Sequence, residues 1–230
     1  MKTIGLLGGM SWESTVGYYS LINQGIRQAL GELHSAKLAM VSVDFNRISR
    51  LQHANKWEET GRLLAEASCR IQSAGADFML ICTNTMHKVT PQIEAAIDIP
   101  ILHIADATAE VLAQHRIHTA GLLGTAFTME QDFYKGRLQN MHGIDVVIPN
   151  EDDRKIVHDI IYDELCLGRQ LDASRAEYLR IIDALASKGA EAVILGCTEI
   201  GMLVSQEDTE MRLLDTTAIH AQKAVEEALR

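Results

Sequence analysis

The sequence is short of proline, with three in 230 residues, and of aromatic residues, at 5%. No proline-rich linker, low-complexity segment or run of like charge divides it. Its four cysteines, at 69, 82, 166 and 197, form no C-x-x-C pair, so neither a zinc ribbon nor a thioredoxin-type motif is supported. Scattered cysteines in a chain of this size also argue against a disulfide framework, and a reducing cytoplasm is the plain reading. There is no basic block: 21 Lys and Arg face 31 Asp and Glu, for a net charge of −10. That balance argues against nucleic acid and anionic membranes as partners, while leaving room for a small anionic ligand at a local site. No apolar stretch approaches the ~18 residues of a membrane span. The apolar run before Gly8-Gly9 is too brief for a signal peptide's hydrophobic region.

What is present is apolar residue in quantity, 47% of the chain, enough for one large domain or two small ones. It is arranged as short runs that alternate with helical periodicity. The clearest run is Ala192–Leu195, which follows a Gly-Ala turn and ends in Gly196-Cys197-Thr198-Glu199. Continuous apolar residues over that length suit a strand buried on both faces of a parallel sheet. Such a strand delivers Cys197 to its carboxyl end, where open α/β sheets place their ligands.

The run has a counterpart. Ser73-Ala74-Gly75-Ala76-Asp77 reads like Ser187-Lys188-Gly189-Ala190-Glu191, at an offset of 114 residues. Thr3-Ile4-Gly5-Leu6-Leu7-Gly8 reads like Thr119-Ala120-Gly121-Leu122-Leu123-Gly124, at an offset of 116. Near-equal offsets at two places indicate duplicated halves. The first alignment sets Cys82 against Gly196 and Thr83 against Cys197. The expected fold class is therefore α/β, with two similar doubly wound parallel-sheet halves and an active site in the cleft between them. The expected division is residues 1–98 plus 215–230 for the first half and 99–214 for the second.

In chain order the pattern predicts a strand to Leu7 and a helix from an N-cap at Ser11 to Leu30. A strand Leu38–Phe45 follows, then Leu51-Gln52-His53 in a loop or short helix. A helix Trp57–Ser73 leads to a strand Asp77–Cys82. One helix spans Thr85–Ala96, a short strand Ile101–Ile104, and a helix Ala105–His115. The second half adds helices over Thr128–Met141, Arg154–Leu167 and Ala173–Ser187. A strand lies at Val146–Ile148, and the chain ends in a strand Arg212–Asp215 and a helix Thr216–Leu229.

Cys197 is the foremost candidate for chemistry, being a thiol at a strand end beside a hydroxyl, Thr198, and a carboxylate, Glu199. Thr83 is its counterpart, and capping of the following helix is the simpler role for it. Alternation along a strand turns Cys82 and Thr83 to opposite faces; a bulge at the strand end would reverse them. Asn84, Thr85 and Thr198 are expected at helix N-termini, whose free N–H groups suit a substrate carboxylate. Met10, Ser11 and Thr125 end the first strand of each half and line the same rim. Gln52, with Arg47 and Arg50, could reach a side-chain carboxylate or belong to a solvated loop. GLLGGM lacks the full dinucleotide pattern G-x-G-x-x-G, and His87 and His103 have no metal spacing.

At these residues the chain resembles the aspartate/glutamate racemase superfamily. Ile81-Cys82-Thr83-Asn84-Thr85-Met86-His87 is similar to that family's first Cys-Asn-Thr motif with an inserted residue. Ile194-Leu195-Gly196-Cys197-Thr198-Glu199-Ile200-Gly201 is similar to its second, and Gly8-Gly9-Met10-Ser11 to its N-terminal loop. The resemblance implies two α/β halves, no cofactor, a small amino-acid substrate and a homodimer. It implies that one cysteine from each half flanks the substrate α-carbon, the second serving the L enantiomer. The chain departs from that pattern by placing Thr83 where the first cysteine stands. A hydroxyl is far less acidic than a thiol, so the implied enzyme is L-directed, with Cys197 as its base and Thr83 on the D side. Two other readings are an arylmalonate-decarboxylase-like enzyme with a single cysteine, and an amino-acid-binding protein without catalysis.

Overall fold

The computed structural model describes residues 1–230, which divide into two compact units: Met1–Ile104 with Thr217–Arg230, and Ala105–Thr216. In the first, strand β1 (Ile4–Gly8) leads into helix α1 (Trp12–Leu30). The Ser11 hydroxyl accepts from the Ser14 N–H at 3.2 Å, which satisfies an otherwise unpaired amide of the first turn. Strand β2 (Leu38–Ser42), helices α2 (Phe45–His53) and α3 (Trp57–Ser73), strand β3 (Phe78–Ile81) and helix α4 (Thr90–Glu94) follow. The second unit holds α5 (Ile104–Gln114), β4 (Thr119–Leu123), α6 (Ala126–Glu130), α7 (Asp132–His142) and β5 (Asp145–Val147). It continues with α8 (Glu151–Asp163), α9 (Asp172–Ser187), β6 (Ala192–Leu195), α10 (Ile200–Leu203) and β7 (Arg212–Asp215). Helix α11 (Thr216–Leu229) returns to the first unit.

Both sheets are parallel, with orders β2-β1-β3 and β5-β4-β6-β7. The duplication expected from the sequence is present in the hydrogen-bond register. Ile4 pairs with Phe78, and Ala120 pairs with Ala192. These pairs carry the offsets of 116 and 114 read from the sequence. The difference of two arises in the loop after the first strand. Gly8 corresponds to Gly124, but Ser11 and Thr125 are both helix N-caps, so Gly9-Met10 is extra in the first unit. The loops that begin β1 and β4 match as well. Asp77 accepts from the Thr3 N–H at 2.6 Å, and Glu191 accepts from those of His118 and Thr119, each at 2.9 Å. Gly75 and Gly189 both turn with positive φ, +88° and +92°.

Every residue of β1, β3 and β6 is buried, as a parallel sheet covered on both faces requires. One face of the first sheet packs Leu7, Met79 and Ile81 against Leu64 and Ile71 of α3. The other packs Ile4, Leu6 and Leu80 against Tyr18, Ile22 and Ile26 of α1 and Ala221, Ala224 and Val225 of α11. Each leucine, isoleucine, valine or methionine among them contributes about 1.5–3 kcal/mol by leaving water.

Five expectations are corrected. The helix expected over Arg154–Leu167 runs from Glu151 to Asp163, and Glu164 separates it from a 3₁₀ turn, Leu165–Leu167. The second strand stops at Ser42, because Asp44 accepts from the Asn46 N–H at 3.1 Å and starts α2 with Phe45 as its first residue. The strand expected at Ile101–Ile104 is one bridge, Met79 to Ile101, at the position β7 fills beside β6. Ile104 instead begins α5. The helix expected over Thr85–Ala96 is a 3₁₀ turn, Thr85–Val89, followed by the short α4 with Pro91 in its first turn. The helix expected over Thr128–Met141 is broken at Gln131, whose extended backbone (ψ 153°) separates α6 from α7. No helix is long and apolar enough to cross a membrane.

Candidate functional site

The strand ends carry the candidate residues. After β1, Gly9 has φ +91°, and a Cβ there would lie 2.2 Å from the Val43 carbonyl oxygen, so the turn admits only glycine. The Gly9 N–H donates to Thr15 Oγ1 at 2.8 Å. Met10 is buried in the apolar cluster with Leu7 and Ile48, and Ser11 is buried at the head of α1. Gln52 is buried on α2 at 2% exposure, whereas Arg47 and Arg50 on the same helix are exposed.

At the end of β3 the Cys82 N–H still donates to Leu7 O, at 2.9 Å. At the end of β6 the Gly196 N–H donates to Leu123 O, at 2.6 Å. Leu7 and Leu123 are equivalent in the registers above, so Cys82 and Gly196 are equivalent too. The next residues, Thr83 and Cys197, therefore occupy the same position in their two units. Both are partly exposed, while both preceding residues are buried. Cys82 lies in the apolar cluster with Ile4, Leu6 and Tyr18, and burial pushes its thiol far up from the ordinary range. Gly196 has no space for a side chain: a Cβ would lie 2.7 Å from Leu123 O and 3.3 Å from Thr128 Cγ2.

Glu199 gathers the polar groups beside Cys197. Its Oε2 accepts from Cys197 Sγ at 3.0 Å and from Thr198 Oγ1 at 2.7 Å, and the residue is 3% exposed. The Cys197 thiol is held well above its usual range, by desolvation first and by the Glu199 carboxylate second. Cys166 and Tyr178 complete its titratable surroundings; burial raises Tyr178 as well, and its hydroxyl donates to Val157 O at 3.2 Å. A thiol and a carboxylate in contact resist carrying two negative charges together. The pair can hold a proton on sulfur or on oxygen and exchange it along one hydrogen bond.

Asn84 and Thr85 are buried at the start of a five-residue 3₁₀ turn, and Thr198 and Glu199 precede a four-residue helix. Neither element has the length of a helix with a developed dipole, so the expected anion-holding termini reduce to individual N–H groups. The Asn84 side chain does not cap its turn. Thr125 caps α6, accepting from the Thr128 N–H at 3.4 Å. Sequence reasoning did not single out His158, whose Nδ1 accepts from the Ala126 N–H at 3.1 Å and so fixes the residue after Thr125. It had no metal or helix-face spacing to mark it. His87 and His103, which have no metal spacing in the sequence, are buried.

Comparison with known proteins makes the protein an amino-acid racemase by class. It belongs to the Asp/Glu/hydantoin racemase family, whose model matches residues 7–224. A Yersinia pestis protein provisionally described as an Asp/Glu racemase shares 51% identity, covers 100% of both chains and superposes with a TM-score of 0.94. PH1733 of Pyrococcus horikoshii OT3, described as an aspartate racemase homologue, shares 32% identity over 100% of both chains with a TM-score of 0.87. The broad-specificity amino-acid racemase RacX of Bacillus subtilis is 23% identical over 168 residues, 73% of this chain and 72% of that one.

Proposed function

We propose that the protein interconverts L- and D-aspartate or glutamate without a cofactor, with Cys197 as the base on the L side and Thr83 in the counterpart position. The observation that supports this reading best is the shared register that makes Thr83 and Cys197 equivalent. In the L-to-D direction the Cys197 proton passes to Glu199, and the thiolate then removes the α-proton. The Cα–H bond breaks, its electron pair stays on the α-carbon, and the S–H bond re-forms. The opposite face takes a proton delivered at Thr83, from its hydroxyl or from water held there; Glu199 then releases its proton to solvent and solvent restores the one given at Thr83, which closes the cycle.

L and D enantiomers have equal free energy in water, so kcat/KM must be equal in the two directions. A thiol serving one enantiomer and a hydroxyl the other make kcat and KM differ in compensating ways, which gives an enzyme that looks L-directed at high substrate. A homodimer belongs to the same proposal. Trp12, Val16 and Tyr19 lie exposed along one face of α1, as a partner-covered face would.

Proton NMR of aspartate, glutamate and a panel of other amino acids in D₂O tests the reading. Exchange of the α-proton is expected for aspartate or glutamate, faster from the L form; exchange from none of the panel would end the proposal. The two first-motif positions separate by alanine substitution. Cys82→Ala is expected to lose only about 1 kcal/mol of stability and little turnover, because its sulfur faces the core. Thr83→Ala is expected to lose most racemisation at an unchanged melting temperature. The reverse ranking in a paired racemisation assay would assign the site to Cys82.

A further inference from the structure

The first unit contains a group of buried imidazoles that the proposed chemistry does not use. His87, His103 and His220 are 2%, 6% and 0% exposed. The His87 ring lies 4.4 Å from that of His103 and 5.9 Å from that of His220, centroid to centroid.

The hydrogen bonds fix the proton on two of the rings. His220 Nε2 is 2.7 Å from Leu102 O, which can only accept, so Nε2 carries the hydrogen. Its Nδ1 then accepts from the Tyr18 hydroxyl at 2.8 Å. Burial, with His87 nearby, lowers the His220 pKa to about 3, so this ring stays neutral. His87 is the opposite tautomer. Its Nε2 accepts from the Ile104 N–H at 3.3 Å, and its Nδ1–H donates to Thr83 O at 2.8 Å. Residues 102–104 are thus held by two histidines of complementary tautomer, one accepting and one donating. This is also the stretch at which the chain leaves the first unit.

We propose that His87 is a positioning residue for Thr83, tying the Thr83 carbonyl to the Ile104 amide, with His220 holding the same segment at Leu102. The proposal rests on the reading of Thr83 given above. Fixing the Thr83 carbonyl fixes the backbone torsion beside Cα, and that torsion limits the rotamers open to its hydroxyl. A plain capping bond would support the turn as a whole. The tie proposed here sets the aim of one side chain, and only the chemistry that depends on that side chain should feel its loss.

The test uses two amides that each keep half of the imidazole's function in the full-length protein. His87→Asn places an amide near Nδ1 and retains a donor for Thr83 O; His87→Gln reaches the Nε2 position and retains an acceptor for Ile104. The readout is the ratio of α-proton exchange in D₂O from saturating D-aspartate or D-glutamate to that from the saturating L form, where the two directions are free to differ. His87→Gln is expected to lower this ratio about tenfold, the scale of a misplaced reacting group, and His87→Asn to restore most of it. Parallel loss from both enantiomers, or an equal effect of the two amides, would overturn the proposal in favour of a general structural role.

Nitrogen-15 NMR of the His87 ring in the substrate-free protein gives a readout independent of activity. The Nδ1–H tautomer is expected, and an Nε2–H tautomer would overturn the assignment even in an active enzyme. If the wild-type protein exchanges no amino acid proton, the proposed function has failed. The tautomer then decides the remaining claim, the tie between Thr83 and Ile104.

Discussion

Replacing Cys197 by serine is expected to lower racemisation by about a thousandfold or more, the scale on which deleting a base acts, with little change in melting temperature. The change is nearly isosteric, the position is partly exposed, and a serine hydroxyl can still donate to Glu199 Oε2, so the local hydrogen bonding survives. What is lost is acidity. A thiol can give its proton to a neighbouring carboxylate; a hydroxyl holds it too strongly to serve as a base without an activator. Polarimetric racemisation assays with a thermal melt on the same sample decide the matter. Turnover near that of the wild type would remove Cys197 from the mechanism.

The second large effect is expected at Glu199, where acidity and rate should move against each other. Glu199→Gln removes the carboxylate charge that, after desolvation, most raises the Cys197 thiol. The pH at which iodoacetamide alkylates Cys197 should therefore fall. A more acidic thiol would ordinarily mean a more available base. Yet the amide cannot take up the thiol's proton, so racemisation is expected to drop about a hundredfold, within the usual range for general acid–base groups. Glutamine's carbonyl can still accept from Thr198, which keeps the turn intact. Alkylation at lower pH with undiminished turnover would show that Glu199 tunes the thiol without exchanging a proton with it. An alkylation profile moved to higher pH would deny both roles.

The duplication was legible in the sequence because its carriers are short and local. A Gly-Ala turn, an acidic residue and an apolar strand recur at one spacing, and the sheet registers reproduce that spacing. Ser11, Trp57–Ser73 and Arg212–Asp215 were equally clear, since a cap, an apolar helix face and a short strand each announce themselves within a few residues. The run Ile101–Ile104 was ambiguous in principle: a few apolar residues fit a strand or the start of a buried helix, and only the neighbouring Met79 decides. Phe45 misled by continuing the apolar character of β2 past the Asp44 cap. The Glu199–Cys197 bond joins residues two apart in an irregular turn, where no periodicity applies. His87 and His220 meet only because the last helix returns to the first sheet.

That return also bears on the order in which the chain can fold as it is made. The second unit is one continuous stretch, Ala105–Thr216, and all four strands of its sheet lie inside it. The first unit is not continuous. Ala221, Ala224, Val225 and Ala228 of α11 cover Tyr18, Ile22 and Ile26, which are synthesised some two hundred residues earlier. Domains emerging from synthesis ordinarily close in sequence, first part first. Here the part made first can lay α1 on its sheet, but the apolar surface that α11 covers must wait until the last helix is complete, and the part made second can close before it.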